Sequence, residues 1–340
     1  MNRLTKWLVN LPAFLVRLIA GGRIVIDGQE MDSQSQMVNW LIARLTKKPL
    51  ERQTVDEMRG AMKRLAASRP PRAVTAIANI TVPGPAGPIP VRTYRADGAD
   101  RAKAGAPGVV FFHGGGWVLG DLDSHDYICG SLALAADCVV FAVDYRLAPE
   151  HPYPAAIDDC FAAFQAIAAR ATEFGVNATR LAVAGDSAGG NRAAAVCQRN
   201  KRDGVAQACF QLLIYPATDA LAETASHELF ARGFLLTRAG MRWFTDQYLP
   251  DRARRAEPLA SPLLAPDLAG LPPALVLMAG FDPLRDEGIA YAKKLQGAGV
   301  RTEWEVYPTT FHGFFGLSVL DVSGQAIDRA AQALRAAFAG

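Results

Sequence analysis

A serine set between glycines is the first feature of this sequence that could do chemistry. Residues 181–184 form a short apolar run, typical of a buried strand, and G-D-S-A-G follows at residues 185–189, ahead of an alanine-rich stretch that favours a helix. A strand, a tight turn and a helix in this order predict that the hydroxyl of Ser187 is exposed on a sharp turn. The glycines on either side leave room for the backbone to reverse. The free N–H groups at the start of the helix favour an anion beside the serine.

A serine hydroxyl becomes a nucleophile at neutral pH when an imidazole takes its proton and a carboxylate orients that imidazole. Of the five histidines, His312 is the best placed, because it follows a predicted strand and precedes a glycine. Asp282 directly follows the predicted strand 275–279, whereas Asp286 and Glu287 are expected in the first turn of the next helix, where they complement its dipole. We therefore predict that His312 is the base and Asp282 its orienting acid.

A histidine followed by three glycines lies directly after another predicted strand, residues 108–112. Main-chain N–H groups without side chains in the way are suited to hold the negative oxygen that forms when a serine attacks a carbonyl carbon. The predicted donors to this oxyanion are the N–H groups of Gly115, Gly116 and Ala188. Three neighbours are predicted to support the two turns: His113, Gly114 and Asp186.

The elements that must position these residues alternate between strands and helices. Predicted strands occupy residues 108–112, 138–143, 181–184, 209–215, 275–279 and 302–307, and an earlier hairpin occupies residues 74–82 and 91–94. Strands separated by helices of ten or more residues predict an α/β fold with a mostly parallel sheet covered on both faces. Sites in such sheets lie at the carboxyl ends of the strands. The serine, the acid and the histidine should therefore meet at one edge.

Two helical regions fall outside this alternation, one at the N-terminus and one after the fourth of these strands. We divide the chain into N-terminal helices at 1–70, a first part of the core at 71–217, an insertion at 218–252 and a second part of the core at 253–340. The insertion has helical patterns at residues 228–236 and 239–249. We expect both regions to form a cap over the site. The alternative, that the insertion's aromatic residues are ordinary core, stays open: Phe230, Phe234, Trp243 and Phe244.

The first 26 residues carry an apolar stripe at helical spacing: Leu4, Trp7, Leu8, Leu11, Leu15 and Leu18. The favoured interpretation is one amphipathic helix packed on the body of the protein. A helix lying on a membrane surface is a minority alternative. A signal peptide is disfavoured, because Pro12 and Arg17 interrupt the apolar centre.

Composition narrows the class of protein further. The chain has 340 residues and a formal net charge of +3, with no block of basic residues, which argues against a nucleic-acid partner. Its five cysteines form no metal-ligand spacing, and their odd number favours a reduced compartment over a disulfide framework. No apolar run is long enough to span a bilayer. We expect a cytoplasmic protein that takes a small organic substrate, without stable membrane insertion, and a homodimer is left open.

Five segments of the chain together resemble one known family: HGGGW, DYRLAPEHPYPAA, GDSAGGN, DPLRDEG and HGF, spread over residues 108–314. This set resembles the hormone-sensitive-lipase-like family of carboxylesterases. The resemblance implies an α/β-hydrolase fold, with a cap made from the N-terminus and an insertion after the sixth strand. It implies that Ser187 is the nucleophile, His312 the base and Asp282 its orienting acid. It also implies the same oxyanion donors: Gly115, Gly116 and Ala188. The implied activity is that of a serine carboxylesterase for short to medium acyl chains, working through an acyl-enzyme without metal or cofactor.

Other activities use the same arrangement of residues. An amidase, a deacetylase or a lactonase would need the same nucleophile, base and oxyanion donors, and the shape of the pocket decides between them. A receptor that binds without turnover is a further alternative. It is disfavoured, because such proteins are expected to lack a catalytic residue and none is missing here.

Some residues depart from the family pattern or lie beside its motifs. Arg192 follows GDSAGGN where the family usually has an apolar residue, and a buried guanidinium needs a carboxylate or carbonyl partner. Two threonines, Thr309 and Thr310, stand where the family often has a glycine and one further residue before the Phe-His of the histidine loop. Three charged residues of the DYRLAPEHPYPAA segment are expected to pair with one another or with the loop of His113: Asp144, Arg146 and Glu150.

Overall fold

An eight-stranded sheet forms the centre of the molecule. The computed structural model describes residues 3–46, 48–67, 76–96 and 105–340. The strands of the large sheet are β3 Ala76–Val82, β4 Ile89–Arg95, β5 Ala106–Phe112, β6 Val139–Val143, β7 Val176–Asp186, β8 Gln211–Ile214, β9 Ala274–Phe281 and β10 Thr302–Phe311. A separate pair of two-residue strands, β1 Val25–Ile26 and β2 Gln29–Glu30, precedes them.

The strand order is β10-β9-β8-β7-β5-β6-β4-β3. The pairs from β10 to β6 are parallel, and β4 is antiparallel to both β6 and β3. Every residue of β6, β8 and β9 is buried, as expected for strands covered on both faces, whereas the edge strand β3 is mostly exposed. This confirms the α/β-hydrolase fold expected from the sequence, with a mostly parallel sheet flanked by helices.

Eleven α-helices lie in the described ranges: α1 Arg3–Val9, α2 Ala13–Ala20, α3 Ser33–Leu45, α4 Val55–Ala67, α5 Asp126–Ala136, α6 Ala155–Ala169, α7 Ala188–Asp203, α8 Ala225–Leu229, α9 Arg238–Tyr248, α10 Arg285–Gly297 and α11 Asp321–Ala339. Alternate side chains of β5 enter opposite cores. Val110 and Phe112 pack in the core under α6, α7 and α10, and Val109 and Phe111 pack in the core under α5 and α11. None of these described helices is both long and apolar enough to cross a bilayer.

The single N-terminal helix expected from the apolar stripe is wrong. Pro12 separates α1 from α2, because a proline has no N–H to continue the helix. The break resets the helical phase, so the apolar side chains that become buried are those of Val9 and Val16. Trp7 and Leu18, which belong to the expected stripe, are exposed to solvent.

The insertion is less helical than its sequence pattern suggests. The predicted helix at 228–236 is wrong, because α8 ends at Leu229 and a series of turns follows, which includes Gly233 at φ +90°. The predicted helix at 239–249 corresponds to α9, which begins after Thr237 has capped the N–H of Gly240. The insertion contacts the N-terminal helices, since Asn39 on α3 donates to the carbonyl of Gly233 at 2.8 Å.

Candidate active site

Ser187 lies on the sharp turn between β7 and α7. Its backbone has φ 56° and ψ −117°, a strained conformation for a residue with a side chain. The turn is compact: a Cβ on Gly185 would lie 2.3 Å from the carbonyl carbon of Gly189. The N–H of Ser187 donates to the carbonyl of Ile214 on β8 at 2.8 Å, which holds the turn against the sheet. The hydroxyl therefore lies at the carboxyl edge of the sheet, at the N-terminus of a helix.

The structure brings Ser187, His312 and Asp282 into one hydrogen-bonded chain. The Nε2 of His312 lies 3.0 Å from the Oγ of Ser187, and its Nδ1 lies 2.7 Å from the Oδ2 of Asp282. Asp282 follows β9 and is completely buried, and its Oδ1 accepts the N–H of Leu284 at 2.9 Å. Nδ1 must donate to the carboxylate, so Nε2 of the neutral ring is left to accept the serine proton. The geometry is suited to general-base activation of the hydroxyl.

The loop that carries His312 is fixed by the two threonines that depart from the family pattern. The carbonyl of Thr309 accepts the N–H of Asp32 at 3.0 Å, and the hydroxyl of Thr310 accepts that of Ser35 at 3.0 Å. Both donors lie at the start of α3. The position of the histidine loop is therefore coupled to the N-terminal region.

Gly116 and Ala188 line the same cleft as Ser187, and Gly115 directly precedes Gly116 in its loop. Gly115 and Gly116 have φ values of +115° and +61°, which favour glycine. A Cβ on Gly115 would lie 2.3 Å from the carbonyl oxygen of Leu119, and one on Gly116 would lie 2.4 Å from the ring of Phe244. The N–H groups of these two glycines and of Ala188 donate to no acceptor in the part of the chain that is described. Three donors thus remain for an oxygen of a bound molecule.

Asp186 connects the turn of Ser187 to residues 113–117, which we call the glycine loop. Its Oδ1 accepts the N–H of Gly114 at 2.8 Å and lies 3.3 Å from the Nε2 of His125. Burial raises the pKa of Asp186, but His125 and the N–H of Gly114 outweigh it and hold the pKa below its usual value. His125 was not identified from the sequence, because its position before α5 gives no signal of this contact.

His113 is buried on the other side of the same loop. Its ring stacks on Tyr145 with the centroids 4.3 Å apart, and its Nδ1 donates to the carbonyl of Gly114 at 2.8 Å. Burial, with a smaller contribution from His125, lowers the pKa of His113 to about 4. The ring is therefore neutral at pH 7 and supports the loop by packing and by this one hydrogen bond.

The serine opens into a cleft of about 480 Å³. Its apolar walls come from the glycine loop and from the insertion: Trp117, Leu236, Met241 and Phe244. The four aromatic residues of the insertion that were named above as possible core residues lie in different surroundings. Phe244 lines this cleft, Phe234 lines a neighbouring groove, Phe230 is fully buried against Phe281, and Trp243 packs on the core.

Glu287 is a wall residue of the cleft that the sequence analysis did not single out for this place. It lies in the first turn of α10, as expected, but its carboxylate is buried. Its Oε1 accepts the N–H groups of Thr218 at 2.6 Å and of Asp219 at 3.3 Å, and its Oε2 lies 3.3 Å from the Nε2 of His227. Burial raises the pKa of Glu287. Only the folded chain brings these distant partners together.

The expected pairing within the DYRLAPEHPYPAA segment is wrong. Arg146 pairs with Asp159 on α6 at 2.7 Å, and Glu150 pairs with Arg59 on α4 at 2.6 Å. The segment runs between these two helices, and each of them supplies a partner of opposite charge. The contact with the loop of His113 comes instead from Tyr145, whose hydroxyl donates to the His113 carbonyl at 2.7 Å.

Arg192 is fully buried and has found carbonyl and hydroxyl partners rather than a carboxylate. Its guanidinium donates to the hydroxyl of Tyr248 at 2.6 Å, to the carbonyl of Leu259 at 3.2 Å and to the side chain of Asn191. The ring of Tyr248 stacks on that of Trp117 with the centroids 4.6 Å apart. Arg192 thus joins the serine helix to α9 and, through Tyr248, to the glycine loop.

Comparison with known proteins gives concordant matches. A family profile described as alpha/beta hydrolase fold matches residues 109–316. The carboxylic ester hydrolase LipN of Mycobacterium tuberculosis is 42% identical over 319 residues, which cover 90% of this chain and 83% of LipN. An ethyl acetate hydrolase of Pseudomonas putida is 40% identical over 249 residues, which cover 73% of this chain and 78% of that protein.

A solved structure extends the likeness to three dimensions. It is a serine-to-alanine mutant of an alpha/beta hydrolase enzyme from the metagenome of Lake Arreo, Spain. The superposition has a TM-score of 0.87 at 43% identity, and it covers 91% of this chain and 99% of that one. The N-terminal helices lie outside the matched family profile, but most of this chain is covered by the structural superposition.

Proposed function

The chain belongs to the hormone-sensitive-lipase-like family of carboxylic ester hydrolases with the α/β-hydrolase fold, and from this premise we propose that it cleaves its ester through an acyl-enzyme formed on Ser187. The observation that carries the proposal is the chain of two short contacts from the Ser187 hydroxyl through His312 to Asp282, at 3.0 and 2.7 Å. The N–H groups of Gly115, Gly116 and Ala188, which donate to no acceptor among the described residues, support it.

In the acylation step, the Oγ of Ser187 attacks the carbonyl carbon of the ester while Nε2 of His312 takes the hydroxyl proton. The carbonyl oxygen becomes an oxyanion held by Gly115, Gly116 and Ala188. The bond to the leaving oxygen then breaks, and Nε2 gives its proton to the departing alcohol. Asp282 remains ionised throughout and stabilises the imidazolium that forms.

In the deacylation step, a water molecule takes the place of the alcohol. Nε2 of His312 removes a proton from this water, whose oxygen attacks the acyl carbon and forms the oxyanion again. Collapse of this intermediate breaks the bond to Ser187, and the proton on Nε2 returns to Oγ. The products are a carboxylic acid, the alcohol and the free enzyme, with no other reactant consumed.

The proposed substrates are esters of short to medium acyl chains. The cleft beside Ser187 is lined by Phe244, Leu236 and Met241, and these side chains favour an apolar acyl group. One of the similar proteins is named an ethyl acetate hydrolase, and ethyl acetate is an ester with a short acyl chain. We propose that the insertion and the N-terminal helices form the cap over this cleft, since they meet at the bond between Asn39 and the Gly233 carbonyl.

Replacement of the nucleophile tests the proposal. We expect Ser187→Ala to keep its fold by circular dichroism and to lower kcat for p-nitrophenyl butyrate by about 10⁴-fold or more, because the attacking oxygen is lost. The matched control is Ser318→Ala, a substitution at an exposed serine, and this variant should keep the activity of the parent. An organophosphate should label the parent at Ser187. Undiminished hydrolysis by folded Ser187→Ala would refute the proposal.

A substrate series completes this test. We expect kcat/KM to be highest for esters of short to medium acyl chains and to fall as the chain outgrows the cleft. Matched amides are the comparison, and faster turnover of amides than of esters would replace the proposed activity by that of an amidase.

A further inference from the structure

The first two helices present large apolar side chains to solvent. We call Trp7, Phe14, Leu18 and Ile19 the N-terminal patch, and their exposed fractions are 61%, 63%, 78% and 40%. The sequence of α2, AFLVRLIA, contains a single charged residue, and the single buried side chain of this helix is that of Val16. A helix that is apolar around its circumference is normally covered on every side. One side of α2 packs on the protein, and the other is exposed in the part of the chain that the structure describes.

The charge around this patch is positive. Residues 1–26, which include both helices of the patch, contain four basic residues, Arg3, Lys6, Arg17 and Arg23. The first acidic residue of the sequence is Asp27, so both helices of the patch lack acids entirely. The exposed Arg17 and Arg23 share one partner, Glu30, which neutralises a single charge. The helices that form the patch therefore carry only basic charged residues.

The helices of the patch pack on a helix that lines a groove next to the histidine loop. α1 and α2 pack on α3, whose residues Asn39 and Ile42 line an open groove of about 1940 Å³ together with Leu235 of the insertion. The side chain of Leu235 reaches Gly313, where its Cδ2 lies 3.2 Å from the place of a Cβ, and Gly313 directly follows His312. The helix α3 thus supports the patch on one side and lines the groove on another.

We propose that the N-terminal patch docks on the surface of a bilayer that contains anionic phospholipid. Aromatic and aliphatic side chains enter the boundary between head groups and acyl chains, and neighbouring basic residues attract the anionic head groups. A second copy of the chain is a poorer cover, because a symmetric contact would bring together two pairs of helices whose charged residues are all basic. This contact is peripheral, and it goes beyond the proposed function because it needs no residue of the active site.

Sedimentation with sucrose-loaded vesicles tests the proposal on the full chain. We expect binding to vesicles of phosphatidylcholine and phosphatidylglycerol to exceed binding to pure phosphatidylcholine by about tenfold, and high salt to weaken it. The variant carrying Phe14→Ser and Leu18→Ser should lose about tenfold or more of this binding. The control carries Val205→Ser and Leu221→Ser, which removes two exposed apolar side chains elsewhere and should bind like the parent.

Activity on the water-soluble ester p-nitrophenyl butyrate separates this proposal from the proposed function. Both double variants should keep it, which shows that they are folded. Equal vesicle binding by the parent and the Phe14→Ser, Leu18→Ser variant would overturn the proposal, as would the absence of binding to anionic vesicles. A dimer in sedimentation-equilibrium experiments that this variant alone abolishes would overturn it in favour of a second copy.

Discussion

His113 carries a titratable ring that folding buries beside the glycine loop. The ring stacks on Tyr145 and keeps one hydrogen bond, to the carbonyl of Gly114, while its Nε2 has no hydrogen-bond partner in the described part of the chain. Burial lowers the pKa of His113 from 6.5 to about 4. The unfolded chain therefore takes up this proton near pH 6.5, whereas the folded protein takes it up near pH 4. The stability that the neutral ring provides is complete above pH 6.5 and falls as the pH is lowered towards 4.

The pH dependence of unfolding should reveal this residue. We expect the free energy of unfolding of His113→Asn to fall less steeply between pH 6.5 and 4 than that of the parent, by up to about 1.4 kcal/mol per pH unit, because one proton-linked step is absent. Urea unfolding at several pH values gives the slopes. His151→Asn, at an exposed histidine, is the control and should keep the slope of the parent. Equal slopes for the parent and His113→Asn would show that the buried ring is not the group that titrates.

At the scale of elements, the contact between α7 and strand β5 sets the distance from α7 to the glycine loop. The helix begins at the turn itself, and Gly189 faces the end of β5, where a Cβ would lie 1.9 Å from the carbonyl oxygen of Phe112. The backbone of Phe112 could move away from an added Cβ only if β5, which leads into His113, moved with it. A glycine at this position thus sets the distance between two elements that the candidate site needs together.

A methyl group tests this close approach. We expect Gly189→Ala to destabilise the protein by about 4 kcal/mol or more, because the added carbon overlaps backbone atoms rather than a flexible side chain. The matched control is Gly297→Ala at the end of α10, where no atom lies within 4 Å of the added carbon. This control should raise stability by up to about 1 kcal/mol. Thermal unfolding measures both, and a Gly189→Ala protein as stable as the parent would contradict the packing described.

At the scale of the whole molecule, a buried cation ties the core to the insertion. Arg192 belongs to the serine helix, and Tyr248 ends α9 and stacks on Trp117 of the glycine loop. Replacing Arg192 by an apolar residue removes a charge that is costly to bury but leaves the Tyr248 hydroxyl without its donor. Removing the hydroxyl instead leaves a buried guanidinium short of one acceptor. Each change weakens the contact between α7 of the core and α9 of the insertion.

A double-mutant cycle measures this coupling. We expect Tyr248→Phe to cost about 1.5–3 kcal/mol, because the hydrogen bond involves a charged group. Combined with Arg192→Leu, it should cost less than the sum of the two single changes by about 1 kcal/mol or more. Tyr94→Phe is the control partner, since that hydroxyl donates to Asp126 in the core on the other face of the sheet, and its effect should add to that of Arg192→Leu. Additive costs in the first cycle would rule out the coupling.

Most of the fold could be predicted from local signals in the sequence. The alternation of apolar runs with helical stretches gave the parallel sheet, because a strand buried on both faces must be apolar throughout, as β9 is. Short-range signals were less reliable in the cap. Proline broke the N-terminal stripe into two helices, and the segment after Leu229 turned instead of continuing as a helix. These segments take their shape from contacts with distant parts of the chain, such as that of Asn39 with Gly233.

The sequence by itself determined the identities and chain order of Ser187, Asp282 and His312 and their places after strands, because strand, turn and glycine signals are local. The tertiary structure decided the partners that are far apart in the chain. It placed Glu287 in the wall of the cleft, gave Arg192 a tyrosine in place of a carboxylate, and left one side of α2 in solvent. The reason is physical: a buried charge or an apolar face is satisfied by whatever the packed elements bring within a few ångströms, and spacing along the chain does not record that distance.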